Sequence, residues 1–294
     1  MDMKIVLNDV SKFYGQKQAL DHVNLEIHKG MFGLLGRNGA GKTTLMKTIT
    51  TLLAPSSGEI TVCGVKVKEG VKVREMIGYL PQDFSMYGNM SAYESLDYLG
   101  VLSGLSKSER KERIPELLEK VNLRSNTRTK VKAMSGGMRR RLGIAQAILH
   151  NPRIIIVDEP TAGLDPEERI RFRNLLTEIA GERIVILSTH IVGDIEATCE
   201  HIAVMDQGKI IFNGTVSQLL EDANGNIYEA KVSRIEVEEI KKQYEVTNVL
   251  MQSTEALVRF IANKKEEGLP TAEVVLPNVE DAYMYLMYKN GGIK

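Results

Sequence analysis

The sequence predicts an α/β fold followed by a small α+β domain, and three observations lead to this expectation. Short apolar runs alternate with helical stretches, a glycine-rich turn joins one such run to a helix, and alternating apolar residues open the sequence. The first pattern is typical of a parallel sheet covered by helices, and the last favours antiparallel strands. We therefore expect a mixed sheet within residues 1–221, a helical subdomain inserted at about 83–150, and a second domain over 222–294.

The strands and helices of the first domain follow from these patterns in chain order. Apolar residues alternate through the first thirty positions, with breaks at Gly15 and Gly30, and predict short antiparallel strands. Residues 31–35 predict a buried strand that leads into the glycine-rich turn, and residues 42–52 predict a helix. Further strand-like apolar runs, separated by helical stretches, lie at 154–157, 184–187 and 202–205.

Two segments depart from this alternation. Residues 91–123 space their apolar side chains three and four positions apart, as a helix does, and predict the inserted helical subdomain. After the turn-rich residues 222–226, strand, helix and strand patterns lead to a final helix. Asn278 is a suitable N-cap for that helix, and the acids Glu280 and Asp281 suit the positive end of its dipole.

Composition argues against several classes of protein. The chain contains 38 Lys and Arg against 38 Asp and Glu, so it lacks the basic excess of a typical nucleic-acid-binding protein, and no direct nucleic-acid partner is expected. Its two cysteines, Cys63 and Cys199, lie far apart and suggest neither a disulfide framework nor a zinc site. No apolar run approaches the roughly 18 residues needed to span a bilayer, and the N-terminus lacks a signal-peptide pattern. We expect a chain that neither spans a membrane by itself nor is exported.

A phosphate-binding motif occupies residues 36–43, which match GxxxxGK(S/T) between the apolar strand and the first helix. Its glycines let the backbone wrap a polyphosphate, so that N–H groups and the helix N-terminus point at the oxygens. Lys42 supplies a positive charge for the β- and γ-phosphates, and Thr43 supplies a hydroxyl for Mg²⁺. The predicted nucleotide-binding residues here are Gly36, Arg37, Asn38, Gly39, Ala40, Gly41, Lys42, Thr43 and Thr44.

Two adjacent acids follow the apolar run 154–157 and form the second predicted part of the site. Such a run predicts a central buried strand, which puts Asp158 and Glu159 at its carboxyl end, where open α/β sheets bind ligands. Asp158 is suited to hold Mg²⁺, directly or through water, and Glu159 to orient or deprotonate an attacking water. Together with the phosphate motif these acids predict binding of a nucleoside triphosphate, and they leave the class of enzyme open.

A second candidate anion site lies at Ser135, Gly136 and Gly137, just before a helix that carries the basic residues 139–141. Small residues at a helix N-terminus expose backbone N–H groups to an anion. One phosphate motif and two anion sites in a single chain suggest a composite site that two chains form together.

These residues resemble the motifs of the ATP-binding cassette (ABC) transporter ATPases, and the resemblance covers about residues 3–218. The signature of that family usually reads LSGGQ. Here it reads MSGGM, with Met134 and Met138 at its first and fifth positions. Ser135 and Gly137, which carry the phosphate contact in the family, are retained.

Four further positions match the family's motifs in the family's order. Tyr14 matches the aromatic residue that stacks on adenine, and Gln82 matches the glutamine that contacts Mg²⁺ and links to the membrane partner. Asp165 ends the 162–165 loop, which matches the loop that crosses the dimer interface. His190 matches the switch histidine near the γ-phosphate.

The resemblance implies a P-loop core of the ABC type and an ATP-binding, ATP-hydrolysing transporter subunit with ATP and Mg²⁺ as cofactors. Lys42, Glu159 and His190 are then the catalytic residues. ATP lies between one subunit's phosphate motif and the signature of a second subunit, expected to be a copy of this chain, and its binding closes the dimer. The movement acts on a separate integral-membrane permease, which implies a place at the cytoplasmic face of a bacterial-type cell membrane.

The C-terminal residues 277–286 bear on the direction of transport. Their pattern resembles the tails of ATPases that serve bacterial ABC-2-type export permeases, and an exporter is expected, although a tail used only for dimerisation or stability is the alternative. An importer ATPase stays open, as does a soluble ABC ATPase that acts on nucleic acid or ribosomes. Soluble ABC ATPases typically carry two cassettes or a long coiled coil between the phosphate motifs. This chain has one cassette, and only 116 positions separate Lys42 from Asp158, which argues against that class. The signature and the lack of an NKxD motif argue against a P-loop kinase or GTPase.

Overall fold

A computed structural model of the chain describes residues 3–262 and 272–291, and its internal contacts define two compact units. The units are Met1–Asn213 and Gly214–Lys294. The first combines parallel and antiparallel strands with helices, and the second has a smaller antiparallel sheet with helices of its own. The predicted fold class is confirmed.

The first unit alternates strands and helices through most of its length. Its strands are β1 (Lys4–Tyr14), β2 (Lys17–His28), β3 (Gly30–Leu35), β4 (Ser57–Val62), β5 (Val65–Lys66), β6 (Ile77–Leu80), β7 (Ile154–Asp158), β8 (Ile184–Thr189), β9 (His201–Asp206) and β10 (Lys209–Thr215). Its helices are α1 (Lys42–Ile49), α2 (Gly70–Met76), α3 (Ala92–Leu102), α4 (Lys107–Lys120), α5 (Gly136–Ile148), α6 (Pro166–Ala180) and α7 (Val192–Thr198).

The N-terminal strands form an antiparallel sheet of their own, with the strand order β2-β1-β4-β5. Alternate residues are buried, among them Ile5 and Leu7 on β1 and Leu25 and Ile27 on β2, so one face of the sheet is apolar. The antiparallel strands predicted for the first thirty residues are therefore confirmed. The buried face shares one apolar core with the strands of a second sheet.

That second sheet has the strand order β10-β9-β3-β8-β7-β6, and the neighbouring strands from β9 to β6 are parallel. Every residue of β7 and β8 is buried, as expected for central strands covered on both faces. The register pairs Leu35 of β3 with Thr189 of β8, and Ser188 of β8 with Asp158 of β7. Three neighbouring strands thus end at one level, and the loops that follow them meet there.

Helix α1 ends at Ile49, earlier than the predicted end at residue 52. Thr51 has a φ of 64°, a left-handed conformation that stops a helix. A β-branched residue rarely adopts this conformation, so residue type does not predict a helix end here. Arg74 supports the turn, because its Nη1 donates a hydrogen bond to Thr51 Oγ1 (2.9 Å).

Helices α3, α4 and α5 lie within the stretch predicted as a helical subdomain. Ser91 and Ser106 cap α3 and α4, each in a capping box with a glutamate three residues later. Helix α5 lies directly against β6. At Gly78 of β6 a Cβ would come within 1.9 Å of the Ala147 carbonyl oxygen, so only glycine fits there.

The second unit contains four strands and three helices among the described residues. They are α8 (Val216–Ala223), β11 (Ile227–Ser233), α9 (Glu236–Gln243), β12 (Glu245–Met251), β13 (Glu255–Ile261), β14 (Ala272–Val274) and α10 (Val279–Lys289). The strands form an antiparallel sheet with the order β12-β13-β11-β14. Phe260 lies in the core of this unit, and its ring centroid is 6.0 Å from that of Tyr228 and 4.7 Å from that of Tyr244.

The division between the units falls after Asn213, whereas the sequence placed it after residue 221. Helix α8 accounts for the difference, because it packs against α10 and so belongs with the second unit. The expected N-cap of α10 is confirmed: Asn278 Oδ1 accepts a hydrogen bond from the Asp281 backbone N–H (2.8 Å). No helix in residues 3–262 and 272–291 is both long and apolar enough to cross a membrane.

Candidate nucleotide-binding site

The glycine-rich loop of residues 36–41 connects the end of β3 to the start of α1. Gly39 and Gly41 have φ values of 85° and 112°, in the region that favours glycine. At Gly41 a Cβ would lie 2.7 Å from the Ala19 carbonyl oxygen. No side chain caps the N-terminus of α1, so the loop presents backbone N–H groups and the positive end of the helix dipole together. This is the local geometry of a phosphate site.

Lys42 is buried inside this loop, with 5% of its side chain exposed. Its Nζ donates hydrogen bonds to the carbonyl oxygens of Gly36 (2.6 Å) and Arg37 (3.2 Å). The same atom lies 3.1 Å from Glu159 Oε1. A charge removed from water needs partners of this kind. Lys42 therefore links the phosphate loop to the acids at the end of β7.

Glu159 has an unusual backbone, with a φ of 48°, and its N–H donates to the Ser188 carbonyl oxygen (2.8 Å). A non-glycine residue held in this region costs about 1–3 kcal/mol, and such residues concentrate at functional sites. The Glu159 side chain is buried between two groups, since Oε1 faces Lys42 and Oε2 lies 2.7 Å from His190 Nδ1. The carboxylate is thus held between a cation and an imidazole.

Asp158 is completely buried, and its Oδ1 accepts a hydrogen bond from Ser188 Oγ (2.8 Å). Burial raises the pKa of Asp158 above its usual range, and the hydroxyls of Thr43 and Ser188 oppose that shift only in part. Its Oδ2 has no hydrogen-bond partner among the residues that the structure describes. A buried carboxylate oxygen without a donor suits a cation ligand.

The donors around Asp158 fit Mg²⁺ beside a bound triphosphate. The described ranges contain no group of three or more His, Cys, Asp or Glu side chains that could hold a metal ion by themselves. Mg²⁺ is commonly held by one or two carboxylates and completes its shell with phosphate oxygens and water. Asp158 Oδ2, the Thr43 hydroxyl and the Gln82 side chain are oxygen donors of the required kind.

A cavity of about 930 Å³ opens in front of these groups, a size typical of small-molecule sites. The predicted residues that line it are Tyr14, Arg37, Asn38, Gly39, Gly41, Lys42, Thr43, Thr44, Gln82 and Glu159. Tyr14 is 47% exposed, and Lys12 Nζ lies 5.7 Å from the centroid of its ring. Gly36 and Ala40 do not line the cavity, because the Ala40 side chain is buried and Gly36 uses its carbonyl oxygen to bind Lys42.

Part of the cavity wall was not predicted from the sequence. The additional lining residues are Lys17, Gln18, Ala19, Gln207 and Gly208. The turn between β9 and β10 reaches the phosphate loop, where the Gly208 N–H donates to the Ala40 carbonyl oxygen (2.8 Å). A Gln-Gly pair between two apolar runs is a turn signal, but it does not say what the turn contacts.

Ser135, Gly136 and Gly137 lie at the start of α5 and outside this cavity. Ser135 Oγ accepts a hydrogen bond from the Met138 N–H (3.2 Å) and so caps the helix. Ser135 and Gly136 are exposed, and a Cβ at Gly136 would meet nothing within 4 Å. At Gly137 a Cβ would lie 2.4 Å from Glu168 Oε2, so a larger residue there needs the Glu168 side chain to move.

Asp165 also lies outside the cavity. It caps α6, because its Oδ1 accepts from the Glu168 N–H (2.9 Å). Glu168 in turn forms an ion pair with Arg141 of α5. The starts of α5 and α6 are therefore joined, and neither contacts Lys42 within one chain. The predicted nucleotide contacts of Asp165 and of the signature stay predictions that need a second subunit.

Comparisons with known proteins agree with this geometry. The sequence profile described as "ABC transporter" matches residues 20–162. The linearmycin resistance ATP-binding protein LnrL of Bacillus subtilis (strain 168) is 37% identical over 74% of this chain and 71% of its own length. The Nod factor export ATP-binding protein I of Cupriavidus metallidurans (strain CH34) is 36% identical over 74% of this chain and 73% of its own. A solved dimer of the ATP-binding cassette MJ0796, in a post-hydrolysis state bound to ADP and Pi, has a TM-score of 0.66 and 28% identity, covering 72% of this chain and 98% of that one.

A glycine-rich loop around a buried lysine, with two acids at the end of a central strand of the same sheet, defines a P-loop nucleoside triphosphatase. The signature residues before α5 and the similarities to known proteins narrow that class. The chain belongs to the ABC transporter family. It is an ATP-binding subunit of a transporter and an ATPase.

The two signature glycines are expected to differ in their tolerance of a methyl group. Gly137→Ala displaces the Glu168 carboxylate from Arg141, and this loss is expected to outweigh the gain in helix propensity, so that stability falls by about 1 kcal/mol. Gly136→Ala enters open space at a helical position and is expected to leave stability unchanged or slightly raised. The measurement is the urea concentration at the midpoint of unfolding for both variants and the parent. Equal midpoints for the two variants would contradict the packing role of Gly137.

Proposed function

We propose that this chain is the ATP-hydrolysing subunit of an exporter, and that it drives a separate membrane permease by closing a dimer around ATP. The observation that carries the catalytic part is the burial of Glu159 between Lys42 and His190 at a nucleotide-sized cavity. Relatives named for linearmycin resistance and Nod factor export support the direction of transport.

Binding of ATP uses the groups that line the cavity. Tyr14 offers an exposed ring for stacking on the adenine. The N–H groups of the cavity-lining loop residues 37–39 and 41, together with the N-terminus of α1, bind the phosphates. Lys42 gives up its contact with Glu159 for the β- and γ-phosphate oxygens, since both partners are anionic and the triphosphate carries the larger charge.

Thr43, Asp158 and Gln82 would hold Mg²⁺. When bound, the ion neutralises negative charge on the phosphate oxygens during transfer. Asp158 is held for this task by Ser188, which occupies one carboxylate oxygen and leaves the other for the ion. Burial keeps water from competing for that oxygen.

Glu159 prepares the attacking water. Its Oε1 becomes available when Lys42 turns to the phosphates, and it accepts the water proton as the water oxygen bonds to the γ-phosphorus and the bond to the β-phosphate oxygen breaks. His190 fixes the direction of the carboxylate through the 2.7 Å contact between Nδ1 and Glu159 Oε2. The imidazole is 41% exposed and contacts a carboxylate that lines the cavity, which supports the predicted place of His190 near the γ-phosphate.

A second copy of the chain supplies the signature. Ser135 and Gly136 are exposed at the N-terminus of α5, which suits an anion but lies outside the nucleotide cavity of its own chain. Asp165 is exposed as well, and the ion pair of Glu168 with Arg141 joins its helix to α5. A head-to-tail dimer, which the dimeric MJ0796 cassette supports, brings this surface to the partner's cavity.

The permease is expected to bind beside the Gln82 loop. A largely apolar pocket of about 310 Å³ lies there, with Tyr79, Pro81, Phe84 and Tyr98 in its wall. The hydroxyl of Tyr79 is buried and has no hydrogen-bond partner among the described residues, so a polar group of an inserted side chain can pair with it. Arg140 of α5 donates to the Pro81 carbonyl oxygen (3.2 Å), which connects this pocket to the signature helix.

The location of the protein in the cell follows from its pairing with a permease. A permease partner places the ATPase at the cytoplasmic face of the membrane, where ATP is available. The bacterial organisms of the two relatives support a bacterial-type transporter.

Glu159→Gln is expected to lower ATP turnover at least about 100-fold, because an amide cannot accept the water proton. ATP affinity is expected to be retained, and an ATP-bound dimer to accumulate on size exclusion. The matched control is Glu196→Gln, an exposed carboxylate on α7, which should turn over ATP as the parent does. Undiminished turnover in Glu159→Gln would remove Glu159 from the mechanism.

Ser135→Ala tests the composite site against a matched cap. Both Ser135 and Ser106 cap helices of the same insert, so each alanine variant is expected to lose about 1 kcal/mol of stability. Only Ser135→Ala should lower ATP turnover, by about tenfold, with nucleotide affinity of the monomer unchanged. Turnover per chain should rise with protein concentration in the parent. Turnover independent of concentration would contradict a site shared by two chains.

The direction of transport is tested with the complex of this chain and the membrane permease that co-purifies with it. In proteoliposomes without any solute-binding protein, the complex is expected to hydrolyse ATP and to be stimulated by amphipathic antibiotics. Glu159→Gln in the same complex provides the background rate. Strict dependence of ATP turnover on an added solute-binding protein would contradict export and favour import.

A further inference from the structure

A buried polar cluster behind the site joins three segments of the first unit. Thr161 and Asp194 are 1% and 0% exposed, and Thr161 Oγ1 donates a hydrogen bond to Asp194 Oδ2. Arg173 of α6 donates from Nη1 to the Gly193 carbonyl oxygen (3.0 Å) and lies 3.5 Å from Asp194 Oδ1. We call Thr161, Asp194 and Arg173 the Asp194 clamp.

The clamp lies close in sequence to both groups that form the Glu159–His190 contact. Thr161 follows Glu159 with only Pro160 between them. Asp194 lies four residues after His190, in the first turn of α7. The hydrogen bond from Thr161 to Asp194 therefore closes a ring whose other cross-link is the 2.7 Å contact of Glu159 Oε2 with His190 Nδ1. Because the segments 159–161 and 190–194 are joined at two points, the hydrogen bond between Thr161 and Asp194 restricts the distance between Glu159 and His190.

The members of the ring have little freedom. Thr198 Oγ1 donates to the Asp194 carbonyl oxygen (2.6 Å), and the Ile191 N–H donates to Thr189 Oγ1 (3.0 Å). A buried carboxylate is costly without partners, so Asp194 is expected to keep its hydrogen bond from Thr161 throughout the reaction cycle. A hydrogen bond that only stabilised the fold could lie anywhere in the core. This one joins the two segments that carry Glu159 and His190, as a group that orients the Glu159 carboxylate must.

We propose that Thr161 and Asp194 are positioning residues that hold Glu159 Oε2 against His190 Nδ1. This inference rests on the roles proposed above for Glu159 and His190. Arg173 extends the effect to α6, whose first turn is capped by Asp165, so the 162–165 loop is tied to the same carboxylate. A movement of that loop on dimer closure then changes the position of the Glu159 carboxylate.

The test compares two substitutions of Thr161, one that removes the hydroxyl and one that keeps it. Thr161→Val removes the hydroxyl at nearly constant volume and is expected to lower kcat about tenfold with KM for ATP unchanged, because the reacting carboxylate is misplaced. Thr161→Ser keeps the donor and is expected to restore most of kcat. Thr50→Val is the matched control, since Thr50 is a buried threonine whose hydroxyl donates to the Met46 carbonyl oxygen (2.9 Å), away from Glu159. Its kcat should equal that of the parent.

The same variants in a His190→Ala background separate positioning from a general loss of stability. Without His190 the clamp has no contact to hold, so Thr161→Val should lower kcat less than about twofold there. An equal tenfold loss in both backgrounds would overturn the proposal. Asp194→Asn, which keeps an acceptor for Thr161 and weakens the pairing with Arg173, is the second variant and is expected to lower kcat about threefold.

Failure of the clamp and failure of the proposed function give different results. If Glu159→Gln and His190→Ala lose turnover while Thr161→Val and Asp194→Asn keep the parent kcat, the clamp alone is wrong. If Glu159→Gln and His190→Ala keep full turnover, the proposed catalytic roles are wrong and the clamp falls with them.

Discussion

Two adjacent carboxylates are buried at the end of β7, and the rest of the site is arranged around their need for partners. Asp158 takes a hydroxyl from β8 and keeps one oxygen without a hydrogen bond from the described residues, whereas Glu159 turns away through a strained backbone to reach Lys42 and His190. Two like charges so close in the chain would repel strongly if both faced the same space in a low dielectric. Their divergence leaves each carboxylate with a different set of partners, which is what the separate roles proposed for Asp158 and Glu159 require.

The local parts of this arrangement could be predicted because each is contiguous in the chain. A strand, a glycine-rich turn and a helix follow one another at residues 31–49, and an apolar run ends in two acids at β7, so patterning alone identified both. The alignment of the two depends on strand pairing. Only the register, which sets Leu35 beside Thr189 and Ser188 beside Asp158, brings the two loops together, and sequence periodicity does not encode which strands are neighbours.

Other features needed contacts between distant segments and escaped prediction for that reason. The cavity wall formed by the turn at Gln207 and Gly208 depends on backbone groups, which carry no residue-type signal. Thr51 ends α1 in a conformation that its side chain disfavours, held by Arg74 from another helix. The division after Asn213 depends on where α8 packs, and an amphipathic helix near a boundary can join either neighbour.

The contact between Gly78 and Ala147 has a mechanical consequence. The backbones of β6 and α5 touch at this point, and farther along the same interface a Cβ at Gly143 of α5 would lie 2.6 Å from the Leu80 side chain. Because packing this close leaves little room for one element to slide past the other, we expect the strand that leads to the Gln82 loop and the helix that begins at the signature to move together. A displacement at the Gln82 loop is then transmitted along α5 to the signature residues at its start.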